Sequence, residues 1–324
     1  MIEDLTIIVI ARNEAFGLKK CLQSIGRLKL KNCQVICVDS GSTDETPELM
    51  REFLKVLPFM HAFSIRGYSN AAIARNVGIE NTLRENVFFV DGDVEIDGGF
   101  ITVGINCLKN GVDCVTGGLR EFQYTRGFEE IRKVIDDRFY IKAAERIYAS
   151  GGCFLTRKSV VDEVGFFDER LERSQDYDYT LRITKRHIMK AIPYNMGIHH
   201  TIGYDDRGQM RAHLNKLHAV FLGNVMRNNL HNIRGIAWLF LKRERGIAFG
   251  GVLLVMGIIC SITFGLPVVL LLLGAVILDV LCGMVKRDKT LYRFYLHYVF
   301  PILAFIGLFH VIDRRAKRDV SEIT

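Results

Sequence analysis

Val87-Phe88-Phe89-Val90-Asp91-Gly92-Asp93 decides the fold: a short, unbroken apolar run stops at two carboxylates. Two runs of the same kind precede it, Thr6-Ile7-Ile8-Val9-Ile10 and Gln34-Val35-Ile36-Cys37-Val38. They are rich in β-branched side chains and do not alternate with polar ones, as suits strands buried on both faces. Between them the period becomes helical. The spacing predicts helices over about 14–25 with Asn13 as N-cap, about 43–57 with Pro47 in the first turns, and about 70–83. Strand, helix, strand order predicts an α/β fold with a mainly parallel central sheet and helices on both faces. In such a sheet ligands gather beyond the carboxyl ends of the strands.

Polar clusters stand at those ends: Ala11-Arg12-Asn13-Glu14, Asp39-Ser40-Gly41-Ser42-Thr43-Asp44 and Asp91-Gly92-Asp93. A later one, Ser174-Gln175-Asp176-Tyr177-Asp178, follows Gly151-Gly152-Cys153-Phe154. Carboxylates two residues apart repel each other unless a positive charge lies beside them. Mg²⁺ or Mn²⁺ supplies that charge through oxygen ligands and can also hold a diphosphate. An EF-hand reading of Asp91 onward fails, because Ile96 and Thr102 stand where Gly and Glu are required. A solvated Asp-Gly turn is the plainer alternative, but the placement after a buried strand favours a metal site. Asp39 is placed to accept hydrogen bonds from a ribose or a base, with helix capping as its plainer role. Arg75, on the third helix, suits a phosphate partner or an ordinary surface cation.

Together these residues resemble family 2 glycosyltransferases, which have the GT-A nucleotide-sugar fold. The matching motifs are TIIVIARNEAFGLKKCLQSI, VICVDSGSTDET, ARNVGIENTLRENVFFVDGDVEI and GGCFLTRKSVVDEVGFFDERL, followed by SQDYDYTLR, over about residues 4–205. The resemblance implies inverting, metal-dependent transfer from a nucleotide-sugar donor. It implies that Arg12, Glu14, Asp39, Arg75, Asp91 and Gly152 hold the donor and that Asp176 is the catalytic base. Asp91 and Asp93 are implied as the Mg²⁺ or Mn²⁺ motif, with Asp93 the more direct ligand. His199-His200 follows an expected strand at 191–198, an edge strand because of Pro193, and related enzymes often place a late His near the metal; His200 is taken as that ligand. A merely structural His pair is the alternative. Two features depart from the family pattern. Gln175 precedes the base where members usually carry Glu, and Gln209-Met-Arg211 does not make the Gln-x-x-Arg-Trp motif of processive synthases. The second departure favours addition of one sugar over polymerisation.

The remainder of the 324 residues reads differently. With 49% hydrophobic and 24% charged residues, a long disordered chain is excluded. Over 206–246, basic residues such as Arg207, Arg211, Lys216, Arg227, Arg234 and Lys242 alternate with apolar ones, which suits helices lying on anionic headgroups, with an ordinary solvated helix pair as the plainer alternative. From Ile247 to Val285 the only charge is Asp279. A helix of that span would be about 58 Å long, nearly twice the roughly 30 Å bilayer core. Two crossings are expected, about 247–264 and 267–285, with basic flanks at both ends. Residues 291–312 form a further crossing or an in-plane or re-entrant segment, so 247–312 is read as a membrane region and 313–324 as a basic tail. The acidic start and the short Leu5–Ile10 run do not make a signal peptide, which places the 1–205 catalytic domain at the inner (cell) membrane facing the cytoplasm. The eight cysteines show no zinc spacing and read as reduced.

This geography predicts membrane lipids as partners and a lipid-linked saccharide as acceptor, a polyprenyl-diphosphate-linked intermediate of surface polysaccharide biosynthesis. Polyprenyl phosphate is the alternative acceptor. The net charge of +7 is concentrated near the apolar segments, which points to headgroups and not to nucleic acid. A catalytically dead, membrane-tethered binding protein would lack the metal motif or the base. A nucleotidyltransferase would carry a Gly-rich loop after the first strand, which Ala11–Gly17 is not.

Overall fold

The computed structural model describes residues 1–138, 141–203, 218–243, 300–309 and 319–324. The chain divides into two compact units, Met1–Gly203 with Asp313–Thr324, and Tyr204–Ile312. The expected crossings at 247–264 and 267–285, and the basic residues Arg207 to Lys216, lie outside the described residues. Among those described, no helix is long and apolar enough to cross a membrane.

In the first unit the strands are β1 (Ile2–Glu3), β2 (Leu5–Ala11), β3 (Leu30–Lys31), β4 (Gln34–Asp39), β5 (Met60–Arg66), β6 (Asn86–Asp91), β7 (Val94–Ile96), β8 (Cys114–Tyr124), β9 (Ile131–Arg138), β10 (Glu145–Ile147), β11 (Phe154–Arg157), β12 (Met189–Ile202) and β13 (Asp319–Ile323). The helices are α1 (Ala15–Gly26), α2 (Thr46–Leu54), α3 (Ala71–Glu80), α4 (Gly98–Lys109), α5 (Lys158–Val164) and α6 (Gln175–Thr184). Every residue of β2 and β4 is buried, as their unbroken apolar runs require. One side of the sheet carries the main core, in which Leu18, Leu22 and Ile25 of α1 meet Ile7, Val9 and Phe88 of the strands.

The expectation of a mainly parallel sheet needs correcting. Among the described residues the main sheet runs β10-β12-β8-β11-β6-β2-β4-β5-β13, with β7 on β12 and β9 on β8. β6, β2, β4 and β5 are mutually parallel. Beyond β6 the order becomes mixed: β11 is antiparallel to both β6 and β8, while β8 and β12 are parallel. Helices still separate the strands after the third apolar run, with α4 before β8 and α5 and α6 before β12, but β11 enters between β6 and β8 in the opposite direction. Nor does β12 lie at an edge. It is held by β8 on one side and by β10 and β7 on the other. Pro193 falls where the register slips between Ala191 and Asn195, and a bulge tolerates a residue without an N–H. Just beyond, Gly197 passes so close to the Glu95 carbonyl that a Cβ there would collide with it.

β13 pairs antiparallel with β5 from Asp319↔Arg66 to Ile323↔Ala62, and Ile323 is buried in the main core. Removing residues 319–324 would uncover the β5 edge and the pocket of a side chain worth about 1.5–3 kcal/mol when buried. The truncated protein is expected to melt roughly 5 °C lower and to self-associate through the open edge, which calorimetry and light scattering would register.

The described helices of the second unit are α7 (His218–Asn228), α8 (Ile233–Trp238), which runs on into a π-helical turn over Leu239–Arg243, and α9 (Phe300–Phe309). Ala219 to Val225 are all buried, and Gly223 lies against the α9 backbone at Ala304 and Gly307. Asn224 Nδ2 donates to the Gly307 carbonyl at 3.1 Å.

Candidate active site

The parallel strands end level with one another. In register, Ile10 of β2 faces Asp91 of β6 and Ala11 faces Asp39 of β4. The loops after β2 and β4 are laced together. Asn13, with a positive φ of 53°, accepts from Thr43 N at 2.8 Å and donates its own N–H to Ser42 Oγ at 2.8 Å. Asn13 therefore ties loops together, and Glu14 takes the N-cap position of α1. Asp39 is buried; its oxygens accept from Ser42 N at 2.9 Å and Ser64 Oγ at 3.0 Å, so it braces this loop and β5. Arg12 is exposed and reaches Ser69 O with Nη1 at 3.2 Å.

Arg75 is no surface cation. α3 is buried from Ala72 to Gly78, and Asn70 caps it by accepting from Ile73 N at 2.9 Å. From this buried helix the Arg75 side chain, 3% exposed, donates Nη2 to Asp91 Oδ1 at 2.6 Å. Its Nε and Nη1 are buried without a partner, and the guanidinium stands 5.5 Å from the centre of the Phe167 ring. Burial pushes the Asp91 carboxyl up, Arg75 draws it down, and Asp93 raises it again.

Asp176 enters from the first turn of α6. Ser174, in the left-handed region at φ 58°, turns the chain into α6. Asp176 Oδ1 accepts from Tyr177 N at 2.9 Å, and Oδ2 lies 3.8 Å from where a Cβ on Gly151 would be. Burial raises its pKa and Arg75 opposes the rise. Ser174 Oγ and Gln175 Oε1 beside it are buried and unpartnered.

Gly152 joins these groups. A Cβ there would strike Arg75 Nη2 and come within 3.0 and 3.1 Å of the Asp91 oxygens. The tip of an arginine can swing aside, so Gly152→Ala is expected to fold normally while parting Arg75 from Asp91. A displacement of about 1 Å can cost roughly 100-fold in rate. The variant is therefore expected to lose about that much in kcat/KM with little change in Tm, measured by steady-state transfer assay and calorimetry.

On the other side of Asp91, Asp93 Oδ2 lies 3.0 Å from His199 Nε2, and His199 Nδ1 lies 3.0 Å from Glu121 Oε2. Burial pulls the His199 imidazolium down, but hydrogen bonds and charge from Asp93 and Glu121 outweigh it, and its pKa is raised to about 10. Glu14 is raised to about 7, first by burial and then by Asp93. His200, assigned from sequence as the metal ligand, is not brought to the acids. It is buried, with Nδ1 2.9 Å from Tyr124 OH and Nε2 3.3 Å from Glu95, and burial lowers its pKa. Adjacent residues of a strand point to opposite faces, so although His200 N donates to the Asp93 carbonyl at 2.8 Å, the imidazole that meets the Asp93 carboxylate is that of His199. Glu121 was not singled out from sequence; nothing in the β8 run CVTGGLREFQY marks it.

Among the described residues, no three His, Cys, Asp or Glu side chains converge as a ready-made metal centre. The donor chemistry nevertheless fits a divalent ion. Asp93 Oδ1 is buried without a partner, and Glu14, raised first by burial, is raised further by the charges of Asp93 and Asp91. Asp91 and Asp93 offer hard oxygens and His199 a nitrogen, with a diphosphate able to complete the coordination.

A parallel half ending in acids, continued by a mixed half that adds His199 and frames Asp176, is the architecture of a GT-A-like glycosyltransferase domain. Comparison with known proteins agrees. Residues 6–165 match the model of glycosyl transferase family 2. Glycosyltransferase AglE of Haloferax volcanii is 28% identical over 185 residues, 55% of this chain and 60% of AglE, so less than two thirds of that relative is spanned. Mannosyltransferase PcManGT of Pyrobaculum calidifontis, solved with GDP-Man and Mn²⁺, superposes with a TM-score of 0.58 at 18% identity, over 94% of this chain and 87% of that one. S. aureus TarS 1-349 gives 0.52 at 15% identity, over 90% and 89%. Over residues 6–165 the chain carries a glycosyl transferase family 2 domain, and the curated relatives it matches there are glycosyltransferases.

Proposed function

We propose that the protein transfers a single sugar, with inversion, from a nucleotide-sugar donor to a lipid-linked acceptor. The observation that carries this reading is the convergence of Arg75, Asp91, Gly152 and Asp176 at the strand ends. In the proposed displacement the acceptor hydroxyl gives its proton to Asp176 while its oxygen attacks the anomeric carbon, and the bond from that carbon to the diphosphate breaks. The unpartnered Nε and Nη1 of Arg75 are donors available to the charge that develops on the departing side. Asp91 and Asp93, with His199, are the residues that would hold Mg²⁺ or Mn²⁺, which when bound offsets charge on the leaving diphosphate. PcManGT, with the same fold and solved with GDP-Man and Mn²⁺, supports both the donor class and the ion.

The acceptor follows from the sequence beyond the catalytic unit. The nearly uncharged run 247–285 and its basic flanks support a place at the inner (cell) membrane, with the catalytic unit facing the cytoplasm. A polyprenyl-diphosphate-linked saccharide of surface polysaccharide biosynthesis suits that position. A sugar hydroxyl needs a base, which Asp176 supplies. A polyprenyl phosphate is already ionised and needs none, so the saccharide is favoured. The test is a screen of UDP-, GDP- and dTDP-sugars for thermal stabilisation with Mn²⁺, followed by turnover on native lipid extract. Absence of transfer from every donor would sink the reading.

A further inference from the structure

Glu121 is a carboxylate that this reaction scheme leaves unused. It stands on β8 with its side chain 0% exposed, in direct register with His199 on β12. Its Oε2 lies 3.0 Å from His199 Nδ1, and its Oε1 accepts from Gln123 Nε2 at 2.6 Å. The far nitrogen of the same imidazole, Nε2, is the one 3.0 Å from Asp93 Oδ2. A chain of contacts thus runs from the interior of the sheet to the strand-end acids. Burying a carboxylate costs several kcal/mol unless it is well partnered. A strand position that served packing alone would suit an apolar or β-branched residue.

We propose that Glu121 is a positioning residue for the cation site: by accepting the Nδ1–H of His199 it fixes the ring and presents Nε2 to the ion held by Asp93. This deepens the metal reading above and rests on it. Asp93 Oδ1, buried and without a partner, supplies a hard donor from the same carboxylate that Nε2 faces. Carboxylate–imidazole pairs behind a metal fix the tautomer and orientation of the ring, and breaking one typically costs 10–100-fold in metal affinity.

The test is Mn²⁺ binding to the full chain without nucleotide, read from the electron paramagnetic resonance signal of the free ion. Glu121→Gln keeps the volume and one oxygen for Nδ1–H but loses the charge, and about tenfold weaker binding is expected. Glu121→Leu and His199→Ala are each expected to weaken binding by roughly 100-fold, the upper end of that range. Adding Glu121→Gln to His199→Ala should change nothing beyond about twofold, because residues acting as one unit are not additive. If Glu121→Leu does not fold, the Glu121→Gln and His199→Ala cycle decides alone. Wild-type affinity in Glu121→Gln, or losses that add in the double variant, would overturn the assignment while leaving the metal reading intact. A wild-type protein that binds no Mn²⁺ would overturn both.

Discussion

Asp176→Asn is expected to lower kcat by about 10²–10⁴, the range that a positioned general base contributes, while leaving nucleotide-sugar affinity near that of wild type. The substitution changes one atom in shape, and its retained oxygen can still accept from Tyr177 N, so α6 should start where it does now. What disappears is the proton acceptor. The pH profile offers a second readout with a definite sign. Burial raises the Asp176 pKa and Arg75 opposes it, so the acid limb of kcat/KM is expected above the usual carboxylate range. Rate is lost as pH falls through that limb, because a protonated carboxyl cannot take the acceptor proton. Removing the opposing charge with Arg75→Leu should move the limb to higher pH. Turnover of Asp176→Asn within about tenfold of wild type, well short of the general-base range, would assign the base to another residue.

The readable parts of this fold share a physical cause. β2, β4 and β6 are buried on both faces, so their sequences are unbroken apolar runs and the acids that end them stand out. β5 presents a mixed face, with His61 and Arg66 exposed and Ala62 and Ile65 buried, and carries no such signature. The antiparallel insertion of β11 is decided by long-range pairing that local pattern does not encode. Which of His199 and His200 faces Asp93 was not legible, because the slip around Pro193 breaks the alternation by which one would count back from known buried positions. Arg75 was legible as a candidate but not as a buried one. An arginine inside a helix buried on all sides is comprehensible only once Asp91 is seen opposite it. The strand-end acids thus come from local sequence, whereas the cation and the imidazole that face them come from packing.

Asp93→Asn is expected to abolish the Mn²⁺-dependent part of donor binding. In the wild type, saturating Mn²⁺ at about 100 times its Kd should stabilise the folded state by about 2.7 kcal/mol, or roughly 5–10 °C in Tm. That increment should vanish in the variant. Asparagine fills the same space between α1 and β12, so packing is preserved where Gly17 closes on the Asp93 backbone, and the protein without metal should still fold. The charge is what matters. Asp93 is the carboxylate with an unpartnered buried oxygen, and it is the acid that, after burial itself, does most to raise Glu14 to about 7. With Asp93 neutral, Glu14 should titrate lower than in the wild type while burial, the larger cause, still holds it up, a shift that NMR titration of the metal-free protein would detect independently of any activity. A site that needs a cation to reconcile its acids should show both changes together, loss of the Mn²⁺ shift in Tm and a lowered Glu14. Retention of the full Mn²⁺ shift in the variant would show that the ion binds without the Asp93 carboxylate and would remove Asp93 from the cation site.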